Sequence, residues 1–450
     1  MKPSTNPLHG LFTWNLREHK VLAAHLLKWL LLGGTVGIAA GSASALFLWS
    51  LDRVTTVRQN HLFLLYLLPL AGLLVGSAYA RWGKQIAGGN NVLLDQLHQS
   101  DGRVPLRMAP FVLGGTLLTH LFGGSAGREG TAVQMGGSLA DGLGRLFRLN
   151  RADRRLLLTS GIAGGFGSVF GTPMAGTVFA LEVTQVGGAR YEALAASLAA
   201  AVVGDLVVRA WGVGHTHYPS LAGFGLSAVL LGKVALIGLA AGLVARAFAE
   251  LTHGLKAGYK ALIPWEPLRP FAGGILVAAV IIGSGAYEYA GLGTPMILKA
   301  FTPGGVAPLA FLWKLILTAM TLGAGFQGGE VTPLFFMGAT LGSTLGALLG
   351  VPVELAAGTG FVAVFAGAAN TPLACLLMGA ELFHGGGLPY LGTACIVAFV
   401  ASGHGGIYAS QRVLFPKSAA LPVPEQSTLA NLRQARAAAQ QSPARQGAAD

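Results

Sequence analysis

Charge is scarce in this 450-residue chain: Asp, Glu, Lys and Arg together make up 11% of it. A water-soluble domain carries roughly 25%, so the shortage excludes an ordinary soluble fold. Cysteine is nearly absent. Cys375 and Cys395 both lie in apolar segments, which leaves no disulfide framework and no Cys-rich zinc site. The signatures of catalysis are missing too. There is no GxSxG, no HExxH and no convincing Asp dyad, so the chain is not expected to be an enzyme or to carry a cofactor or metal. His215 and His217 form an HxH pair beside Tyr218-Pro219. With no third ligand evident in the sequence, the pair reads as part of a loop.

What fills the chain instead is apolar and small. Hydrophobic residues reach 53%, glycine accounts for 67 positions, and the mean hydropathy is +0.60. Glycine abounds in membrane helices, where small residues let backbones approach closely. The composition predicts an all-α polytopic membrane protein. The net charge of +12 could suggest nucleic acid, but its placement argues for lipid. Arg145, Arg148, Arg151, Arg154 and Arg155 crowd one short connection, and other basic residues gather at both ends. By the positive-inside rule this predicts a multi-pass protein of the inner (plasma) membrane with both termini cytoplasmic. Ala43-Ser44-Ala45 resembles a signal-cleavage site, yet the apolar run continues through Leu46, Phe47, Leu48 and Trp49, so no cleavage is expected.

Residues 1–20 read as a cytoplasmic interfacial segment. Apolar stretches follow at about 21–51, 62–81, 108–122, 131–147, 156–187, 192–211, 222–252, 271–290, 306–325, 331–350, 354–383 and 388–402. Several fall short of the ~20 residues a full span needs, and many are broken by Gly or Pro. Such short, interrupted helices occur where irregular backbone lines a cavity enclosed by protein. Residues 416–450, rich in Ala, Gln, Pro and Ser, read as a disordered cytoplasmic tail with no CBS domains.

The chain also repeats itself. GFGSVFGTPMAGTVFALE (165–182) aligns with VFAGAANTPLACLLMGAE (364–381), which pairs Pro173 with Pro372 and Glu182 with Glu381. GREGTAVQMG (127–136) aligns with GEVTPLFFMG (329–338), which pairs Gly127 with Gly329, Met135 with Met337 and Gly136 with Gly338. Two transmembrane halves, 21–212 and 213–415, are expected, with a site where broken helices meet near the membrane midplane.

One segment places opposite charges in the oiliest part of the chain: Gly127-Arg128-Glu129-Gly130, within GGSAGREGTAVQMGG. Intramembrane ionisable residues are costly and mark ion paths or proton relays. Flanking glycines let backbone N–H groups approach a ligand. A helix beginning here would aim its amides and positive dipole at an anion. Glu129 would compete with that anion for the same donors, which makes it a gate. If it takes up a proton, it is also a coupling device.

These motifs, in this order, resemble the CLC family of chloride channels and proton-coupled anion antiporters over most of residues 20–415. The carriers are GREG at 127–130, the GTP-containing segment 165–182, GGEVTP at 328–333 and Tyr408 within GHGGIYAS. The resemblance implies the CLC fold of two related halves and a homodimer with one pore per subunit. The departures resemble one branch, the fluoride/proton antiporters. Asn90 stands where other members have a serine, Thr131 stands where a proline follows GREG, and Glu330 opens an acidic Gly329-Glu330-Val331-Thr332-Pro333 loop. Val183 stands where the chloride/proton exchangers carry an inner proton-relay glutamate.

On this resemblance the function expected is secondary active export of F⁻ in exchange for H⁺. The alternative is a proton-coupled chloride antiporter or a chloride channel on the same fold. Glu129 is expected as the gating and proton-coupling acid. Glu330 is expected as a second acid, on the proton path or in the anion site. Anion contacts are expected from Asn90, whose amide offers two donors, from the backbones of Arg128, Gly130 and Val331, from Thr332, and from the Tyr408 hydroxyl. Glu182 and Glu381 read as structural acids at helix ends.

Overall fold

The computed structural model describes residues 16–98, 103–221, 223–421, 423–424 and 426–441. Seventeen α-helices carry it: α1 (Leu16–Asn60), α2 (Leu68–Ala78), α3 (Asn90–His98), α4 (Met108–Leu121), α5 (Glu129–Leu146), α6 (Arg151–Phe170), α7 (Pro173–Glu182), α8 (Leu194–Ala210), α9 (Ala228–Leu262), α10 (Leu268–Ser284), α11 (Thr294–Lys299), α12 (Ala310–Gly323), α13 (Val331–Leu349), α14 (Val353–Ala369), α15 (Pro372–Leu382), α16 (Leu388–Ala401) and α17 (Leu429–Gln441). The one sheet among the described residues joins two-residue strands, β1 (Gln185–Val186) and β2 (Arg412–Val413), in parallel. Among the described residues, five helical segments are long and apolar enough to cross a membrane, and six shorter apolar helices of 10–17 residues accompany them.

The repeat seen in the sequence is the architecture. The stretch 156–187, which reads as one apolar run, is two helices, because α6 ends at Gly171 in a left-handed conformation (φ 72°) and Thr172-Pro173 starts α7. The stretch 354–383 breaks at the matching point: Asn370 is left-handed (φ 57°) and Thr371-Pro372 starts α15. A left-handed C-cap followed by proline at the first helical position is a strong helix stop and restart. Packing repeats as well. Gly136 on α5 lies against the Gly161 carbonyl of α6, and Gly338 on α13 lies against the Gly360 carbonyl of α14. A Cβ at either place would collide with backbone, so these helix pairs cross at a distance that only glycine permits.

Glu182 and Glu381 tie the halves together reciprocally. The Glu381 carboxylate, at the end of α15, accepts from Met174 N (2.9 Å) and Ala175 N (2.8 Å) at the start of α7. The Glu182 carboxylate, at the end of α7, accepts from Leu373 N (3.3 Å) and Ala374 N (3.0 Å) at the start of α15. Each acid satisfies amides that its partner helix leaves unpaired and sits at the positive end of that helix.

Two expectations change. Residues 1–15 of the segment read as interfacial lie outside the described residues, and the rest of that segment already belongs to α1, whose 45 residues span about 67 Å. The tail expected to be disordered forms α17, whose Leu429 and Leu432 are buried with Val186 and Val413. Its alanines favour helix, and two leucines at i, i+3 supply an apolar stripe; a reading by polar content alone passes over both.

Candidate functional site

The two aligned motifs meet in space. Gly127 N donates to Gly329 O (2.6 Å) and Gly329 N donates to Gly127 O (2.9 Å), an antiparallel bridge between the halves. This clamp sets the N-termini of α5 and α13 beside each other. Glu129 is the first residue of α5, and its carboxylate is fully buried. It accepts from Thr332 N (2.9 Å), from the Thr332 hydroxyl and from Arg128 N (3.2 Å). The Arg128 Nε lies 3.5 Å from its other oxygen. The carboxylate therefore sits at the opening turn of α13, where unpaired amides and the helix dipole favour an anion. It occupies the kind of place an inorganic anion would take.

Gly130 shows what else converges. A Cβ built there would lie 3.1 Å from Asn90 Nδ2 and 3.6 Å from Glu330 Oε2. Asn90 at the start of α3 and Glu330 at the N-cap of α13 thus face the same turn of α5 from different sides. Asn90 Oδ1 and Glu330 Oε2 are both enclosed with no hydrogen-bond partner. Unsatisfied buried polar atoms are rare, and each points to an absent ligand, proton or water. Behind them Thr131 and Thr116 share a hydroxyl–hydroxyl bond of 2.7 Å. A proline in place of Thr131 would lack that bond.

Tyr408 is buried, its ring edge-on to Phe179 with centroids 6.4 Å apart, and within electrostatic reach of Glu330 and Glu129. Its loop is pinned from both halves. Ser410 N donates to Asn91 Oδ1 (2.9 Å), and the Gln411 amide donates to Val183 O (3.0 Å) and Ala369 O (3.1 Å). Arg128, next to Glu129, also lines a cavity of about 800 Å³ together with Arg58, His215, Glu288, Gly293 and Lys299, among others.

A sequence model described as "Voltage gated chloride channel" matches residues 71–403. The chain belongs to this family. Among its CLC relatives, a "Chloride/fluoride channel protein" of Pseudomonas syringae pv. tomato is 50% identical over 425 residues, 93% of each chain. A "Putative chloride channel protein ClcB-like" of Ralstonia nicotianae is 30% identical, covering 85% of this chain and 90% of its own. The crystal structure of a CLC-type fluoride/proton antiporter superposes with a TM-score of 0.83 at 35% identity, covering 86% of this chain and 98% of that one. A slow cyanobacterial Cl⁻/H⁺ antiporter shares the fold, with a TM-score of 0.72 at 19% identity. The protein is thus a multi-pass membrane protein of an anion-transporting family.

Of the residues expected at a CLC anion site, the structure brings together Glu129, Thr332, Arg128, Asn90 and Glu330. The amide that holds the Glu129 carboxylate on the α13 side is that of Thr332; those of Gly130 and Val331 make no bond to it. Position in the helix explains this, since the carboxylate reaches past the first amide of α13 to the second. His215, read as a loop residue without a carboxylate nearby, pairs with Asp205 of α8 at 3.1 Å; a partner ten residues away and a loop apart leaves no spacing signal. Sequence reasoning also passed over Lys314, fully buried on α12, whose ammonium donates to Tyr289 O (3.0 Å) and Gly291 O (2.6 Å). The signal was available: a lone lysine inside the apolar run 306–325.

Proposed function

We propose that this CLC protein is a fluoride/proton antiporter, exporting F⁻ from the cytoplasm as H⁺ enters, and so a fluoride-resistance device of the plasma membrane. The observation that carries the reading is the buried Glu129 carboxylate held by Thr332 at the N-terminus of α13. While charged, it fills an anion position and closes the path. On taking a proton it loses its claim on those donors and leaves, and an anion takes its place. Each such exchange carries a proton one way and fluoride the other. Fluoride is the most demanding halide to dehydrate and needs dense donors in return. Thr332 N, the Thr332 hydroxyl, Arg128 N and the Asn90 amide are such donors, gathered from the starts of α13, α5 and α3. Protonated Glu330 would add another, and it is the second acid that a chain with Val183 at the inner relay position needs. Tyr408, from the opposite side, offers its phenolic hydroxyl to the same path.

The basic Arg145–Arg155 connection supports a cytoplasmic face at the C-terminal end of α5 and an outer face at Glu129, with both termini cytoplasmic. A homodimer, one pore per subunit, accords with family membership. The test is an ion-selective electrode on proteoliposomes loaded with fluoride or chloride. Fluoride efflux accompanied by proton uptake is expected, together with far slower chloride efflux. Rapid chloride release with little fluoride movement would leave the chloride antiporter or channel as the reading. Asn90→Ser is expected to lower the fluoride-to-chloride rate ratio in the same assay.

A further inference from the structure

The end of α1 carries a guanidinium with nothing to bind. Arg58 is 9% exposed and lines the cavity beside Arg128. Its Nε is enclosed and unpartnered, and among the described residues the Arg58 side chain makes no ion pair or hydrogen bond. The acids of the same cavity, Asp52 and Glu288, are exposed, and neither pairs with it. Holding a largely enclosed charge without a counter-charge is costly. Proteins ordinarily meet that cost with a carboxylate.

His120, 1% exposed, donates Nε2–H to Gly127 O (3.3 Å), which leaves Nδ1 an acceptor that bonds nothing, Arg58 included. Gly291, left-handed at φ 64°, faces both groups. A Cβ there would lie 3.4 Å from Arg58 Nη2 and 3.6 Å from His120 Nδ1. These are ordinary contact distances, so nothing crowds the guanidinium on this side; Arg58 also opens on the cavity that Arg128 lines, and it is there that an anion can meet it. Lys314 holds the Gly291 carbonyl turned to its own ammonium at 2.6 Å, so that oxygen is already engaged.

We propose that Arg58, with Arg128 at its side, forms a halide-binding position in the cavity beside the Glu129 gate, separate from the position Glu129 itself occupies. An anion released from the N-terminus of α13 is handed to Arg58 before it reaches open water. Its role in transport rests on the antiport reading above; its existence as a site does not.

The test therefore has two arms. Crystals of wild-type protein are soaked in sodium bromide and the anomalous signal is mapped. A bromide peak in the cavity beside Arg58, lost in Arg58→Gln, is expected; no peak there in the wild type overturns the site. In the second arm, fluoride efflux from proteoliposomes is measured against rising external fluoride. Arg58→Gln is expected to raise the external fluoride needed for half-inhibition by about tenfold, the loss of one charge-assisted hydrogen bond, while Arg58→Lys, which keeps the charge, stays close to wild type. Equal inhibition of wild type and Arg58→Gln overturns the hand-over role. Wild-type liposomes that move no fluoride at all would remove the antiport reading, and the bromide map would then decide the site alone.

Discussion

The proposed exchange hinges on which side chain or ion holds the donors at the first turn of α13. Thr332 supplies two of them, its amide and its hydroxyl, and both are engaged by the Glu129 carboxylate. In Glu129→Gln the side chain no longer competes as an anion, so proton movement is expected to stop while the anion position stays available. Adding Thr332→Val to that variant removes the hydroxyl but keeps the amide. Hydrogen bonds to a charged group are worth about 1.5–3 kcal/mol, so fluoride binding by titration calorimetry should weaken by roughly tenfold or more relative to Glu129→Gln alone. Thr332→Ser, which retains the hydroxyl, should restore most of it. Equal affinities in the Val and Ser forms would show that the hydroxyl is a helix cap without a ligand. Much of this was legible beforehand, because Glu129, Thr332, Asn90 and Glu330 are polar residues in apolar, glycine-rich text. Arg58 was not: it falls seven residues past the apolar run 21–51, where a basic residue looks like an ordinary membrane-edge anchor.

At the level of elements, α7 and α15 form a pair that each completes the other. Glu381 and Glu182 hold the leading amides of the opposite helix, so neither helix start is satisfied by its own half. Glutamine at either position can accept from those amides with one oxygen only and carries no charge for the helix dipole. Glu182→Gln and Glu381→Gln are each expected to cost about 1–2 kcal/mol, the scale of a lost cap plus a dipole interaction. The measurement is the thermal melting temperature in detergent. By the symmetry of the pair the two variants should fall together, and the fluoride-to-chloride ratio should be unchanged in both. Unequal losses would argue against a reciprocal brace. The sequence disclosed the partners through the shared TP…E spacing, yet not that they would cross over. Spacing reports which residues are equivalent; contact between equivalents requires a two-fold relation between the halves, and no periodicity carries that.

At the level of the whole molecule, the segment past α16 folds back on the loop that carries Tyr408. Leu429 N donates to Gln411 O (3.0 Å), Ala430 N to Ala409 O (3.0 Å), and Arg436 to His404 O (3.3 Å). These carbonyls flank Tyr408. The loop is fixed from elsewhere as well, by Ile407 N to Ala368 O (2.9 Å), Asn370 Nδ2 to Gly405 O (3.0 Å) and His253 Nε2 to Gly406 O (3.0 Å). Both halves and α17 therefore converge on one short stretch of backbone whose tyrosine faces the acids of the site. Composition pointed to disorder here because it counts polar residues and cannot see that Leu429 and Leu432 meet Val186 and Val413, residues supplied by two distant strands. Leu429→Asp should undock α17 by placing a charge in that small apolar cluster. Hydrogen exchange is then expected to quicken at Gly405–Gln411, whose bonds to α17 are lost, and to stay slow at Gly127–Thr131, where the bridge between Gly127 and Gly329 is independent of α17. If the loop around Tyr408 exchanges no faster, the bonds from the two halves suffice to hold it, and α17 is carried by the fold without bracing the path.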